Sequence, residues 1–238
     1  MKQTSKPFQQ KLRKFHPTLE PTIKKELNKL LATKNIFPIW HTQLVSNLVP
    51  VKKKNGDIQL CVHFWNLNKS SEKDNYPVPP MEQILQKVFG FEMLSLLDGF
   101  SGYNQILVSL DDQLKTAFRI PWGTYAYRKM PFGLINAGEN FQRAMDISFG
   151  GLINYSLVVY IDDVTVFSKY WHNHIIHLGK VFEPCRKYGV FLNPKKMIFI
   201  VTQGILWGYV VSKHGIMIGP ERTQAISKIT YSSSKKAM

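Results

Sequence analysis

Two adjacent aspartates, Asp162 and Asp163, interrupt the apolar run LVVYIDDVTVFS. Valine, isoleucine, tyrosine and phenylalanine favour β-strands, so the run predicts two short strands that meet at the acidic pair. Neighbouring carboxylates between buried strands repel each other and lose solvation unless a cation compensates them. For the dipeptide alone, an ordinary surface turn is the simpler interpretation, and a functional one needs a further acid.

Asp98 is the candidate for that third carboxylate. It ends the mostly apolar segment FEMLSLLD, which predicts another strand. Mg²⁺ prefers oxygen ligands and completes its coordination with waters and substrate phosphates. Converging carboxylates of this kind can hold two metal ions that assist an in-line displacement, in which a 3′-hydroxyl attacks and pyrophosphate leaves.

The order of the elements predicts the fold class. From Phe91 onward the pattern indicates strand, helix, hairpin, helix and strand, with the second helix ending at Gly189. Earlier in the chain, LEPTIKKELNKLLATKN predicts a helix, VSNLVPVKKKNGDIQLCVHF a basic hairpin that turns at Asn55-Gly56, and PVPPMEQILQKVF a short helix. Because this order is that of a split βαβ unit, we expect an α+β fold with a mainly antiparallel sheet.

The net charge of +15 is unevenly distributed along the chain. Residues 1–60 carry 12 basic and 3 acidic side chains, whereas residues 91–168 carry 5 basic and 8 acidic ones. Basic flanks are typical of proteins that bind a polyanion through its phosphates, and a local acidic excess indicates bound cations. A solvated, lysine-rich surface is the alternative interpretation.

Composition excludes several classes of protein. Contents of 44% hydrophobic and 13% aromatic residues are too high for a disordered chain. No apolar run approaches the roughly 18 to 20 residues of a membrane-spanning helix, and the polar start lacks the apolar core of a signal peptide. Only two cysteines are present, so a disulfide framework is excluded. We therefore expect an intracellular protein, cytoplasmic or nuclear, with no membrane partner.

Six collinear blocks indicate a family. They are LLDGFSGYNQI, KTAFRIPWGTYAYRKMPFGL, NAGENFQRAM, VVYIDDVTVFS, LNPKK and LWGYVVSKHGI. Together they closely resemble the reverse transcriptase (RNA-directed DNA polymerase) of gypsy-type LTR retrotransposon polyproteins, particularly plant ones, from about Leu19 to Ser227. The resemblance implies the fingers and palm of a right-hand polymerase, with the thumb largely absent. It places a loose basic segment at 1–17, fingers at 18–73 and 106–136, palm at 74–105 and 137–215, and a truncated start of the thumb at 216–238.

The same resemblance implies roles for individual residues. Asp98, Asp162 and Asp163 match the family's catalytic aspartates, which bind two Mg²⁺ ions, with Mn²⁺ as a substitute. The implied partners are an RNA or DNA template–primer duplex and deoxynucleoside triphosphates, and the oligomeric state is left open. Contacts with the nucleotide are expected from Tyr103, Phe132, Gln142 and Lys52, and contacts with primer or template from Tyr160, Trp207, Gly208, Tyr209 and Phe141. A packing role for Tyr103 and a solvated lysine turn at Lys52 are the alternatives.

Several positions depart from the family pattern. The family usually reads R-x-C-V-D-Y-R-x-L-N where this chain reads QLCVHFWNLN, so Gln59 and Trp65 replace arginines and His63 replaces an aspartate, while Gly138 replaces a proline. Glutamine lacks the charge and the bidentate geometry of a guanidinium that clamps a triphosphate. We therefore expect impaired DNA synthesis. Three alternatives stay open: an active polymerase, a catalytically weak nucleic-acid-binding remnant, and a non-functional retroelement relic.

Overall fold

A computed structural model describes residues 6–53 and 56–228 of the chain. Within this range the chain divides into two units. The first consists of the described residues up to Pro77 together with Ser101–Arg143, and the second of Val78–Phe100 together with the described residues from Ala144 onward. The predicted loose ends and thumb fall partly on residues 1–5 and 229–238, and Asn55 of the predicted hairpin turn also lies outside the described residues.

Seven helices and thirteen strands follow one another in the described chain. They are β1 (Phe8–Gln9), α1 (Glu20–Ala32), β2 (Ile36–Pro38), β3 (Leu44–Lys52), β4 (Ile58–Val62), α2 (Trp65–Ser70), α3 (Met81–Val88), β5 (Met93–Asp98), α4 (Leu110–Gln113), β6 (Phe118–Ile120), β7 (Gly123–Tyr127), α5 (Ala137–Ser148), β8 (Leu157–Tyr160), β9 (Asp163–Ser168), α6 (Trp171–Tyr188), β10 (Ile198–Val201), β11 (Gln203–Leu206), β12 (Tyr209–Ser212), β13 (Gly215–Ile218) and α7 (Pro220–Ser227).

The first unit is built on a six-stranded sheet in the order β1-β3-β6-β7-β2, with β4 paired to β3. The predicted basic hairpin is confirmed, because β3 and β4 pair in antiparallel fashion from Leu48↔Val62 to Lys52↔Ile58. Helix α1 buries Ile23 and Leu27 in the core of this unit, as its helical spacing predicts. These side chains leave water on folding, which is the main stabilising contribution to such a core.

Strand β1 corrects one expectation for the N-terminal segment. Phe8 and Gln9 were expected in a loose region, but they pair in parallel with Leu44 and Val45 of β3. The side chain of Gln10 also donates to the carbonyl of His63 and accepts from the backbone N–H of Asn47. These bonds fix a polar segment that has no hydrophobic periodicity of its own.

The second unit contains the predicted split βαβ pattern. Its main sheet has the order β10-β5-β9-β8, with antiparallel pairing throughout, so the α+β fold class is confirmed. Strands β8 and β9 form the hairpin expected from LVVYIDDVTVFS. Helix α6 ends at Gly189, whose φ of +67° is the left-handed conformation that glycine adopts without strain. Cys185 is buried on this helix, as expected.

A second, three-stranded sheet completes the unit. Strands β11, β12 and β13 pair in antiparallel fashion and precede α7. The turn between β11 and β12 contains Trp207 and Gly208, both with positive φ, at +47° and +80°. In the described part of the chain, no helix has both the length and the apolar character needed to cross a membrane.

Candidate active site

Backbone pairing brings the three aspartates to one end of the main sheet of the second unit. Asp98 is the last residue of β5 and lies directly opposite Asp163, the first residue of β9. The N–H of Gly99 donates to the carbonyl of Asp162 over 2.8 Å, which ties the β8–β9 turn to the end of β5. The strands therefore gather residues that are more than 60 positions apart in the sequence.

The turn that carries Asp162 has a strained backbone. Ile161 has a φ of +55°, in the left-handed region that β-branched residues rarely adopt. Such a conformation costs about 1–3 kcal/mol and persists only where surrounding contacts impose it. Here the flanking strands pair directly up to Tyr160↔Asp163, so the hairpin register imposes the tight turn.

Trp207 contacts Asp163 directly. Its indole Nε1 donates to Oδ2 of Asp163 over 2.7 Å, and its ring packs against Tyr160 with centroids 5.0 Å apart. Burial is the main reason why the pKa of Asp163 is raised, and the negative charges of Asp162 and Asp98 add to it, while the Trp207 hydrogen bond acts in the opposite direction. The charged form of Asp163 is therefore destabilised by its surroundings.

Asp98 is held by two donors from the segment after α6. Nζ of Lys196 lies 3.0 Å from Oδ2, and Nδ2 of Asn193 donates to Oδ1 over 3.3 Å. The hydrogen bond to Asp98 raises the pKa of Lys196, and the charges of all three aspartates act in the same direction. The ammonium group thus partly compensates the carboxylates.

A cavity of about 200 Å³ opens beside this group and is lined by Asp98, Asp163, Lys196 and Trp207. Among the described residues, no three His, Cys, Asp or Glu side chains are arranged closely enough to coordinate one ion. The donor chemistry nevertheless fits a hard divalent cation, because the site offers carboxylate oxygens and destabilises their charge. Metal binding by Asp98, Asp162 and Asp163 stays a prediction.

Tyr103 belongs to an aromatic cluster in the first unit. Its ring makes edge-to-face contacts with Phe132, at a centroid distance of 5.1 Å, and with Phe141, at 5.6 Å. A side chain at Gly138 would begin 3.9 Å from the Tyr103 hydroxyl. The cluster therefore joins three residues that the family resemblance had singled out separately.

Comparison with known proteins identifies the family. The model of the family "Reverse transcriptase (RNA-dependent DNA polymerase)" matches residues 10–227. This chain belongs to the reverse transcriptase family. Among its relatives, the retrovirus-related Pol polyprotein from transposon opus of Drosophila melanogaster is 35% identical over 204 residues, which are 84% of this chain and 20% of that polyprotein. The Enzymatic polyprotein of Cauliflower mosaic virus (strain Strasbourg) is 31% identical over 197 residues, covering 81% of this chain and 29% of the relative.

Solved structures show the same fold. A foamy viral protease-reverse transcriptase in complex with double-stranded DNA superposes with a TM-score of 0.89 at 20% identity, over 98% of this chain and 41% of that one. A second, in complex with an RNA/DNA hybrid, has a TM-score of 0.87 at 19% identity, over 98% of this chain and 31% of that one. The reverse transcriptase chain thus spans less than half of each of these two structures, and 20% and 29% of the opus and Cauliflower mosaic virus polyproteins.

The remaining predicted nucleotide and template residues of this reverse transcriptase differ in exposure. Lys52 is exposed at the end of β3, and Phe132 is also exposed. Phe141 and Gln142, by contrast, are each only 1% exposed. Packing is the role that this structure gives Phe141, and direct contacts of Phe141 and Gln142 with substrate stay predictions.

Three substituted positions of the reverse transcriptase, Gln59, His63 and Trp65, lie on or just after β4, whereas Gly138 lies on α5. Gln59 lines a cavity of about 140 Å³ together with Lys53, Phe132 and Glu26. His63 is exposed, and so is Trp65, over whose ring Nζ of Lys69 lies at 5.2 Å. Lys53 therefore places a positive charge in the cavity that Gln59 lines, at the position where the family resemblance leads us to expect an arginine.

Two residues at the aspartates were not assigned individually from the sequence. Asn193 and Lys196 belong to the block LNPKK, which the resemblance includes without a role. Their contacts with Asp98 span 95 and 98 positions, so no local pattern could reveal them. The signal that the sequence offered for these two residues was their position in the family block LNPKK.

Proposed function

We propose that this reverse transcriptase domain extends a primer 3′-hydroxyl with deoxynucleotides, copying an RNA or DNA template. The observation that carries the proposal is the pairing of Asp98 with Asp163 across β5 and β9, with the Asp162 turn bonded to Gly99. Three carboxylates at one end of a sheet are suited to bind cations. The net charge of +15 is suited to bind a polyanionic substrate.

Asp98, Asp162 and Asp163 would hold two divalent ions, Mg²⁺ or Mn²⁺. When bound, such ions activate the attacking hydroxyl and stabilise the leaving pyrophosphate. Trp207 donates to Oδ2 of Asp163, while Asn193 and Lys196 donate to the two oxygens of Asp98, so the orientation of both carboxylates is defined. Fixed donors of this kind reduce the reorganisation that a reaction requires.

The partners follow from the family and from the charge. The foamy viral reverse transcriptases bind double-stranded DNA and an RNA/DNA hybrid, which supports a template–primer duplex as the partner here. Deoxynucleoside triphosphates would be the second substrate, with Tyr103 excluding the ribose 2′-hydroxyl and Lys52, Phe132 and Gln142 contacting the nucleotide. Tyr160, Phe141 and the turn from Trp207 to Tyr209 would contact primer or template. We assign residues 18–73 and 106–136 to the fingers, 74–105 and 137–215 to the palm, and the residues from 216 onward to the start of the thumb.

A second candidate, a catalytically weak nucleic-acid-binding remnant, is favoured by one observation. Gln59 lines its cavity without the charge of an arginine, although Lys53 is present there. Loss of one phosphate clamp costs on the order of 10²- to 10³-fold in rate. The binding of duplex, which depends mainly on distributed basic side chains, would be retained.

Primer extension tests the proposal. Purified protein is given a homopolymer template, a labelled primer, the complementary deoxynucleotide and Mg²⁺ or Mn²⁺. We expect metal-dependent extension that Asp98→Asn and Asp162→Asn abolish and that Asp111→Asn, an exposed aspartate on α4, leaves unchanged. Binding of duplex without extension in either metal would favour the remnant, and extension by both active-site variants would contradict the assignment of the aspartates.

A further inference from the structure

An exposed tryptophan stands beside an open groove in the first unit. Trp40 is 94% exposed, and the groove of about 430 Å³ is also lined by Gln9, His41, Gln43 and Arg119. Tryptophan has a large apolar surface that folding normally buries. An indole left in water therefore offers a flat face on which a planar ligand can stack.

The backbone around Trp40 is anchored on both sides. The N–H of Ile39 donates to the carbonyl of Thr124 over 3.0 Å, and the hydroxyl of Thr42 bonds to the carbonyls of Leu44 and Leu114, at 3.3 and 3.2 Å. The segment that carries the indole is thus attached to β7 and to the residues before β6. Such anchoring lowers the entropic cost of ordering the Trp40 segment when a ligand stacks on the indole.

Arg119 places a positive charge in the lining of this groove. Within the described residues its lining has Arg119 and His41 but no acidic side chain, whereas the cavity at Gln59 is lined by Glu26. The Arg119 guanidinium donates to the carbonyl of Gln10, and no described carboxylate forms an ion pair with it. Strand β1 contributes Gln9 to the groove, and the sequence on either side of β1 contains the exposed basic residues Lys6, Lys11, Arg13 and Lys14.

From this geometry we propose that the Trp40 groove binds unpaired single-stranded nucleic acid, with a base stacked on the Trp40 indole and phosphates near Arg119 and the basic β1 segment. Aromatic stacking combined with a cationic surface is the general means of holding single strands without sequence preference. The inference rests on the proposed function in one respect only, since the strand would be the unpaired part of a template.

Binding measurements with matched nucleic acids test the groove. A labelled blunt duplex is compared with the same duplex carrying a 5′ template overhang of about 12 nucleotides, as DNA and as RNA. We expect Trp40→Ala to weaken binding of the overhang substrates about 5- to 100-fold, as for the loss of one stacked base, and to leave the blunt duplex unchanged. Trp40→Phe should retain most of the affinity, because it keeps an aromatic face.

Two further arms separate stacking from other effects. Trp171→Ala removes an exposed indole, 67% exposed, from α6 in the second unit and should change neither affinity. The double variant Lys11→Gln/Lys14→Gln should lower the salt slope of overhang binding by about 1.4. Thermal unfolding of Trp40→Ala should match that of the wild type, because the removed side chain is exposed.

Three results would contradict the proposal that the Trp40 groove binds single strands. The first is equal overhang affinity in Trp40→Ala and the wild type, and the second is an equal loss of affinity for the blunt duplex. The third is a wild-type dimer that dissociates in Trp40→Ala, which would make Trp40 an interface residue. Extension of a primer with a short overhang is measured in parallel. If primers are extended but Trp40→Ala does not change overhang binding, single-strand binding at the groove is refuted and the proposed function is still supported. A Trp40 effect without extension supports the groove and counts against the proposed function.

Discussion

The indole Nε1 of Trp207 donates a 2.7 Å hydrogen bond to Oδ2 of Asp163. The bond joins the turn between β11 and β12 to the first residue of β9, so the second sheet helps to orient a residue at the end of the first. Burial and the neighbouring carboxylates both raise the pKa of Asp163. Its position depends on a partner that stands 44 residues later in the chain.

Replacing Trp207 by phenylalanine keeps an aromatic ring and removes the donor. A hydrogen bond to a charged group contributes about 1.5–3 kcal/mol, so we expect the rate of nucleotide incorporation to fall by about 10- to 100-fold. The comparison variant Trp171→Phe, on the exposed face of α6, should incorporate at the wild-type rate. An unchanged rate in Trp207→Phe at saturating primer–template would show that the bond does not position Asp163.

Asp163→Asn should separate stability from activity. The neutral amide removes a charge that burial and two neighbouring carboxylates disfavour, while its oxygen can still accept from Trp207. In the absence of divalent cations we expect the free energy of unfolding to rise by about 1 kcal/mol, while primer extension falls to background. Urea denaturation with EDTA measures the first effect. Asp111→Asn, an exposed control, should change neither, and a destabilised Asp163→Asn would contradict the electrostatic argument.

Tyr103→Ala tests sugar selection. Removal of the ring that would clash with a 2′-hydroxyl should raise ribonucleotide incorporation relative to deoxyribonucleotide incorporation by about 10-fold or more. Tyr103→Phe keeps the ring and its contacts with Phe132 and Phe141, so it should keep the wild-type ratio. The measured quantity is the ratio of kcat/KM for the two nucleotides. The same ratio in Tyr103→Ala and in the wild type would show that Tyr103 has a packing role only.

Restoring the family's residues should improve use of the nucleotide. Gln59→Arg combined with His63→Asp and Trp65→Arg returns a guanidinium to the cavity that Lys53 lines. We expect incorporation to rise by about 10²- to 10³-fold, the order of the loss for one missing phosphate clamp, with little change in duplex affinity. Gln83→Arg adds the same charge on the exposed face of α3 and serves as the control. Efficient primer extension by the wild type would contradict the prediction that its DNA synthesis is impaired.

His174 should make stability depend on pH. It is fully buried on α6, where its ring bonds to the hydroxyls of Ser95 and Ser168 at 2.8 Å each. Burial, reinforced by His177, lowers its pKa from the ordinary value of 6.5. Because the unfolded chain binds the proton more readily, the stabilisation is fully present above about pH 6.5 and is lost as the pH falls through the folded-state pKa.

The variant His174→Asn should flatten this dependence. Unfolding free energies from urea titrations between about pH 5 and pH 8 provide the measurement. His172→Asn is the matched control, because His172 is exposed, stacks on Tyr170 and meets the ring of Trp171 edge-to-face. A wild-type stability that stays constant below pH 6.5 would show that His174 is not held neutral.

Local sequence patterns account for the elements that depend on neighbouring residues. Strand-forming runs on both sides of Asp162 and Asp163 produce a hairpin wherever they lie, because the alternation of side chains and the turn are local properties. The helical spacing of Ile23 and Leu27 and the left-handed Gly189 are local in the same sense. The family and the identity of the three aspartates followed from the order of the blocks.

Which side chains contact one another depends on the packing of the folded chain. The register of β5 against β9 places Asp98 opposite Asp163, and the segments after α6 and β11 bring Lys196 and Trp207 to these carboxylates. The same holds for β1, whose two residues form a strand because β3 offers them a free edge. Contacts across about 40 to 100 residues depend on how sheets and loops pack, and side-chain pairing of that range leaves no periodic trace in the sequence.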